Sequence, residues 1–273
     1  MPREFHSITV EAIVLKHADW GEADRILTLF TRQQGKIRAL GKSVRKIRSR
    51  RAGHLEPFTH VTLQLAKSRD LPIITQAETI QAFAPLRESL VAIGHASYVI
   101  ELLDKFTYEE GENLSLFTLL VKTFERLITP GLDAQLVLRF YEIRLLDYTG
   151  FRPELTHCIA CGTTIQPEDQ FFLPGSGGVL CPRCGRETDA RGAIPITKDA
   201  LKYLRHLQRS AFTEAMRAHP GPEHAREMER ILQGYLTYVL ERGLNVPKFI
   251  REVNRKMETE PAPPHDTPSP RGQ

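Results

Sequence analysis

The chain is poor in cysteine, and outside one short stretch it has none. All four cysteines lie between positions 158 and 184 of a 273-residue sequence. No apolar run approaches the roughly 18 residues that a membrane-spanning helix requires. The N-terminus also lacks the basic start, apolar run and small-residue cleavage site of a secretory signal peptide. We therefore expect a cytoplasmic protein without membrane association, in which thiols stay reduced.

Acidic residues are absent between Asp24 and Glu56, although the formal charge of the whole chain is only +4. Such a one-sided segment attracts polyanions, of which nucleic-acid phosphate is the commonest inside cells. A solvated basic face or a mobile loop without a partner is the alternative. The candidate DNA-binding residues are the ten cations of this segment: Arg25, Arg32, Lys36, Arg38, Lys42, Arg45, Lys46, Arg48, Arg50 and Arg51.

Catalytic motifs are also missing from the sequence. Gly41-Lys42-Ser43 suggests a phosphate-binding loop, but a Walker A motif requires glycine five positions before Gly41, where Lys36 stands. No catalytic triad, glycine-rich dinucleotide loop or two-metal carboxylate cluster is visible. We therefore expect a binding protein and no enzyme. A zinc-containing nuclease would need a second, open metal site, for which the sequence offers no ligand cluster.

The four cysteines form two C-x-x-C pairs separated by nineteen residues. Two such turns can close a tetrahedral four-thiolate shell around one Zn²⁺ with no position left for water, which makes the ion structural. Two disulfides or a thioredoxin-like redox pair are the alternatives, and His157 could substitute for one ligand. The predicted zinc ligands are Cys158, Cys161, Cys181 and Cys184.

The first eighty residues predict five short strands, each apolar or alternating, and the clearest alternation is that of Val61, Leu63 and Leu65 with polar residues. Gln33-Gln34-Gly35 has the composition of a hairpin turn. Five short strands suit a small closed barrel, and the oligonucleotide-binding (OB) fold is the variety that binds nucleic acid, although an SH3-like barrel would give a similar pattern. The predicted strands are 8–15, 26–31, 37–40, 60–65 and 73–80.

Bases of nucleic acid stack on aromatic faces, and three aromatic residues lie near the basic segment. They are Trp20, Phe30 and Phe58. For each one taken singly, packing in a core or turn is the alternative.

From Pro85 onward the apolar period becomes helical, and it resumes after the cysteines, where Thr197 can cap a helix. We therefore predict an α+β fold: an N-terminal small β-barrel (OB-fold) followed by an α-helical domain with an inserted four-cysteine zinc module. The C-terminal residues are too polar and proline-rich to bury a core. The predicted boundaries are 1–82 for the barrel, 83–154 and 193–256 for the two parts of the helical domain, 155–192 for the zinc module and 257–273 for a disordered tail.

The chain resembles the RecO family of bacterial DNA-repair and recombination mediators over nearly its whole length. The resemblance lies in AIVLKHADWGEADRILTLFTRQQGKIRALGK, SRRAGHLEPFTHVTLQL, LRFYEIRLLDYTGFRPELTHCIACG and CPRCG. It implies ATP-independent binding of single- and double-stranded DNA, strand annealing, and a place in the RecF pathway at the nucleoid. It also implies RecR and the single-stranded-DNA-binding protein as partners, with help to RecA on gapped DNA. An RNA- or ribosome-associated binding protein is the alternative.

The resemblance also suggests where one partner binds. The single-stranded-DNA-binding protein ends in an acidic tail with a terminal phenylalanine, so its receptor needs an apolar slot beside a cation. Arg139 adjoins Phe140 and lies within about one helical turn of Leu136 and Ile143. We therefore take Arg139 as the candidate tail-binding residue. Solvent exposure or an ordinary ion pair with Glu142 is the alternative.

Overall fold

The computed structural model describes residues 7–108, 111–187 and 192–240. Its first part is a closed barrel with the strand order β1-β2-β3-β5-β4. All pairings are antiparallel except that of β3 with β5, which is parallel and joins only Leu40 to Ile73. The five predicted strands are therefore present. Their bounds are β1 Ser7–Trp20, β2 Asp24–Thr31, β3 Gly35–Gly41, β4 His60–Ala66 and β5 Ile73–Gln81.

The alternation predicted for β4 is observed, since Val61, Leu63 and Leu65 are buried in the barrel interior. Gly35, at the end of the predicted β2–β3 turn, has a φ of +66°, a conformation that glycine adopts without steric cost. Strand β1 is longer than predicted because residues 16–20 pair with 24–28 as a hairpin ribbon.

The middle of β1 is buried on both faces, because this part of the strand lies between two cores. Val10, Ala12 and Val14 face the barrel interior. Ile13 and Leu15 pack instead into the larger core that the helices form. The pairing of β1 with β2 shifts register between Val14 and Lys16, and such bulges increase the local twist of a strand.

Three helices follow the barrel: α1 Leu90–Phe106, α2 Leu114–Leu127 and α3 Ala134–Tyr148. Each begins at a side-chain cap that accepts a hydrogen bond from a backbone N–H of the first turn, provided by Ser89, Asn113 and Asp133 respectively. Helix α3 is buried along most of its length and contacts both α1 and α2. It is therefore the central helix of this part of the fold.

The part of the chain that holds the four cysteines, residues 155–196, is called the cysteine segment below. It contains a small sheet in the order β7-β6-β8. Its third strand lies just beyond the predicted module boundary at residue 192. Thr197 caps the helix that follows, as the sequence predicts, by accepting from the N–H of Ala200 at 3.2 Å. The elements are β6 Gln170–Leu173, β7 Gly178–Leu180, α4 Pro182–Glu187, β8 Ile194–Ile196, α5 Lys198–Arg209, α6 Phe212–Ala215 and α7 Pro222–Val239.

One continuous apolar core joins the outer face of the barrel, the helices and the cysteine segment, and a second fills the barrel. The predicted tail, 257–273, and the end of the predicted helical domain, 241–256, lie outside the described residues. Among the helices of 7–108, 111–187 and 192–240, none combines the length and apolar character needed to cross a membrane.

Candidate nucleic-acid interface and metal centre

The basic segment after β3 is held against the barrel at defined points. The backbone N–H of Ser43 donates to Asp24 Oδ1 at 2.7 Å, and that of Arg45 donates to the carbonyl of Ala23 at 2.9 Å. Ser43 has a φ of +56°, and Val44 between these anchors is buried in the barrel core. The start of the segment is therefore fixed beside the β1–β2 hairpin.

Two of the ten candidate DNA-binding residues are partly neutralised by acidic neighbours. Arg25 contacts Asp19 and Glu56, each at 3.1 Å. Arg45 contacts the same Asp19 at 3.2 Å. Because their charges are shared with carboxylates, both residues contribute less attraction for phosphate than isolated cations would.

Two further arginines are bound to other parts of the barrel. Arg32 contacts Glu11 at 3.0 Å. The guanidinium of Arg51 donates to two backbone carbonyls, that of Lys42 at 2.8 Å and that of Ile74. Arg51 therefore joins the basic segment to β5, a positioning contact that the sequence does not reveal.

Lys36 differs most from the sequence-based expectation. Its side chain is only 11% exposed, and its ammonium lies 3.0 Å from Asp104 Oδ1 at the end of α1. It also donates to the backbone carbonyls of Asp104 and Thr107 at 2.7 and 2.5 Å. The prediction that Lys36 faces phosphate does not account for these contacts, which join the barrel to the helices.

Asp104 also contacts Lys16, at 2.7 Å through its other carboxylate oxygen. Burial alone would raise the pKa of Asp104, but hydrogen bonds from Lys16 and Lys36 and their charges outweigh it, so the pKa lies below its ordinary value. The carboxylate therefore stays charged at neutral pH and holds both lysines.

The other five cations are exposed and make no side-chain hydrogen bond or ion pair with any described residue. Arg38 lies on the outer face of β3, and the rest follow that strand. Unpaired cations that lie near one another repel each other, which lowers the stability of the fold. They are also free to bind an anionic ligand. This exposed set, called the free basic face below, comprises Arg38, Lys42, Lys46, Arg48 and Arg50.

The structure separates the three aromatic candidates. Phe30 and Phe58 are buried and pack against Phe117 and Phe124 of α2, so they belong to the core. The packing alternative is correct for these two. Trp20 is 60% exposed at the end of β1, beside the anchored start of the basic segment, and remains available for stacking.

Sequence reasoning missed Ile47. Its side chain is fully exposed in the middle of the basic segment. An apolar residue isolated among cations has no periodicity that would mark it as a surface feature. Proteins that bind nucleic acid use such apolar side chains as wedges between base steps.

The four cysteines converge on one point. Their sulfur atoms all lie within 4.8 Å of one another, and those of Cys161 and Cys181 are 3.9 Å apart. A zinc–sulfur distance of about 2.3 Å in a tetrahedron places sulfurs about 3.8 Å apart. All four are free thiols, and the backbone N–H of Cys181 points at the sulfur of Cys158, 3.4 Å away.

Local structure explains this convergence. Cys158 and Cys161 flank a turn that ends at Gly162, whose φ is +73° and whose N–H donates to the carbonyl of Cys158 at 2.8 Å. Cys181 and Cys184 lie at the start of α4. His157, the alternative ligand, is half exposed, 3.8 Å from Glu154, and is not part of the cluster. The donor set therefore fits a four-thiolate metal site.

Arg139 is buried in α3, 4% exposed, and contacts Glu142 at 2.7 Å. The ion pair considered as the alternative is therefore present. Tyr98 donates a hydrogen bond to the same Glu142 oxygen. Burial raises the pKa of Glu142 to about 7, although the charge of Arg139 and the Tyr98 hydrogen bond oppose the shift.

The ion pair leaves part of the Arg139 guanidinium unused. Its Nε and Nη1 atoms are buried and have no hydrogen-bond partner among the described residues. Arg139 lines a cavity of about 270 Å³ between α3 and the start of α7. The apolar part of that cavity is formed by Leu136, Pro220, Pro222, Ala225 and Met228. Its polar part is formed by Asp133, Gln135, Arg226 and Glu229, so the cavity carries charges of both signs. A buried cation beside an apolar wall is one feature that a hydrophobic carboxylate ligand needs.

Comparison with known proteins agrees with this architecture. The family model described as Recombination protein O N terminal matches residues 5–83, and that described as Recombination protein O C terminal matches residues 87–247. The chain belongs to the RecO family. The N-terminal match ends close to the last barrel strand, and the C-terminal match contains both the cysteine cluster and the Arg139 cavity.

Curated relatives carry the same name at moderate identity. The DNA repair protein RecO of Roseiflexus sp. (strain RS-1) is 39% identical over 91% of this chain and 87% of its own length. That of Dehalococcoides mccartyi (strain ATCC BAA-2266 / KCTC 15142 / 195) is 37% identical, covering 92% of this chain and 97% of its own. That of Symbiobacterium thermophilum is 33% identical over 88% and 95%. This RecO-family chain is therefore similar to DNA repair proteins along most of its length.

Proposed function

We propose that this RecO-family chain binds DNA through the free basic face and anneals complementary strands without ATP. The observation that carries the proposal is the set of five exposed cations, unpaired within the described residues, beside the exposed Trp20 and Ile47. A cationic surface with an aromatic side chain at its edge is how proteins hold single strands without sequence preference. Double-stranded DNA would be held by the same phosphate contacts.

Annealing on such a surface requires no catalytic group. Neutralising the phosphates of two strands lowers their mutual repulsion, so complementary bases can meet without nucleotide-driven work. Trp20 would contribute about 1–3 kcal/mol per stacked base. We further propose that annealing and mediation belong together: the protein would help RecA replace the single-stranded-DNA-binding protein on gapped DNA, with RecR as its partner.

The four thiolates of the cysteine cluster would hold one structural Zn²⁺. A four-sulfur shell leaves no coordination position for water, so the ion would stabilise the segment and take no part in chemistry. The barrel core contains no residue of the cysteine segment. DNA binding by the barrel should therefore depend only weakly on the metal.

The Arg139 cavity is the proposed receptor for the tail of the single-stranded-DNA-binding protein. Its terminal phenylalanine ring would enter the apolar part, and its terminal carboxylate would accept from the unpartnered Nε and Nη1 of Arg139. Arg226 at the same cavity could pair with an acidic residue of the tail. Glu142 would remain bound to Arg139 throughout.

The direct test of the proposed function is annealing of two complementary oligonucleotides, with and without the single-stranded-DNA-binding protein, in buffer that contains no ATP. We expect the protein to accelerate annealing in both cases. Failure to accelerate either reaction would refute the proposal. Competition between DNA and RNA strands of equal length tests the alternative, since a preference for RNA would require contacts to 2′-hydroxyl groups.

A further inference from the structure

A second basic surface lies far from the barrel strands in sequence, on helix α5. Lys198, Lys202, Arg205 and Arg209 are spaced four, three and four residues apart, which places them on one face of the helix. Like charges at such spacing destabilise a helix by a few tenths of a kcal/mol per pair. Such a row therefore lowers the stability of the helix slightly, and binding of an anion would reverse that effect.

These cations line a groove of about 670 Å³ between α5 and the cysteine segment. Gln166, Pro167 and Glu168, which lie between the two cysteine pairs, also line the groove, as do Glu214, Arg217 and Ala218. The four-cysteine cluster therefore lies on both sides in sequence of one part of the groove lining, and α5 supplies most of the positive charge.

Most of this charge has no partner among the described residues. Lys198, Lys202 and Arg209 are exposed and form no side-chain hydrogen bond or ion pair there. Arg205 donates through Nε to the carbonyl of Leu155 at 2.6 Å, while its Nη2 is buried without a partner. Burial and then the charge of Arg209 lower the pKa of Arg205.

Three acidic residues also line the groove and limit its charge. Glu214 is paired with Arg217 at 2.9 Å. Asp199 lies in the first turn of α5, where a carboxylate interacts favourably with the helix dipole. Together with Glu168 they leave the groove with a positive excess, since five lysines and arginines face three carboxylates.

We propose that this α5 groove binds a second single strand of DNA while the free basic face holds the first. The inference rests on the proposed annealing function. The four cations extend about 16 Å along the helix axis, which matches about five phosphates of one strand at duplex spacing and fewer if the strand is stretched. An extended row of cations matches a repeating polyanion better than a ligand with one anchoring group.

The test uses the full-length protein with Lys202→Gln and Arg209→Gln combined. Both side chains are exposed and unpaired in the described structure, so the helix should fold normally. The control is Lys122→Gln with Arg152→Gln, which removes the same formal charge from exposed positions on α2 and after α3, where each cation pairs with a carboxylate. A first labelled strand is bound at saturation, and a second, non-complementary strand is titrated while energy transfer between the two labels is recorded.

We expect the groove variant to bind the first strand within twofold of wild type. Its apparent Kd for the second strand should rise at least tenfold, and the salt dependence of that step should weaken by about 1.4 in log–log slope, since each lost single-strand phosphate contact removes about 0.7. Annealing should slow in parallel. The control should match wild type in both steps.

Several results would overturn the inference. Unchanged capture of the second strand by the groove variant would remove the groove from DNA binding. So would a variant that keeps the second strand but loses affinity for a polyglutamate peptide, because the groove would then bind an acidic protein segment. If wild type anneals strands but never holds two non-complementary strands, only this inference fails. If wild type binds no DNA, the proposed function fails as well.

Discussion

Neutralising the free basic face is the most direct test of how this chain binds DNA. The variant replaces Arg38, Lys42, Lys46, Arg48 and Arg50 by glutamine. None of these side chains has a partner among the described residues, so their loss should not weaken the fold. We expect the tight binding of the first strand to be lost with the native structure intact, leaving only the binding that the α5 groove provides.

The expected magnitude follows from counting these cations. If each contacts one phosphate of a single strand, log affinity should fall against log salt with a slope near −3.5. Raising salt from 50 to 200 mM should then weaken wild-type binding about 10²-fold, and each glutamine should reduce the slope by about 0.7. The paired cations Arg25, Arg32 and Arg45 should change the slope less.

The measurement is fluorescence anisotropy of a labelled oligonucleotide over a series of salt concentrations. Circular dichroism and thermal unfolding of each variant check the fold. Lys67→Gln with Arg69→Gln is the control for variants that lose two of the five cations, since both residues are exposed on the barrel but lie after β4. A folded fivefold variant with the wild-type slope would refute the assignment and place the DNA surface elsewhere.

Three further predictions concern the metal, the barrel–helix contact and the tail cavity. Elemental analysis of protein purified without chelator should find one Zn²⁺ per chain, and Cys158→Ser should lose it while the barrel stays folded; absence of zinc from wild type would contradict this. Asp104→Asn should lower the free energy of unfolding by about 1–3 kcal/mol at neutral pH. Folding lowers the pKa of Asp104, so the loss of unfolding free energy in the variant should be complete above the ordinary value of 3.8 and shrink as pH falls towards the folded-state pKa. A loss that persisted at low pH would exclude the carboxylate as its source. Arg139→Ala and the cavity-filling Ala225→Phe should each weaken binding of a fluorescent tail peptide at least tenfold with DNA affinity unchanged, and equal peptide affinities would remove the cavity from the proposal.

Local chemistry made much of the architecture predictable. The two C-x-x-C pairs identify four candidate ligands by spacing alone, and the structure brings all four sulfurs within 4.8 Å of one another. The alternation of β4 and the Thr197 cap depend on residues that are neighbours in sequence, so both were predicted correctly. The order of barrel, helices and cysteine segment follows from changes of apolar period along the chain.

Contacts between distant residues could not be predicted in this way. Lys36 reads as one more cation of the basic segment, but its partner Asp104 lies 68 residues away. Phe30 and Phe58 are buried because α2 covers that side of the barrel. The apolar wall of the Arg139 cavity comes mostly from residues around the start of α7, which no local pattern connects to α3.

The position of β1 between two cores has a consequence for dividing this protein. Ile13, Leu15, Phe30 and Phe58 are part of the barrel strands and loops in sequence, yet they pack in the core of the helices. A fragment that ended after β5 would expose these four apolar side chains to water on one face, and contiguous patches of this kind promote association. The junction between the two family matches, near residue 85, therefore separates two stretches of sequence without separating two independently soluble units.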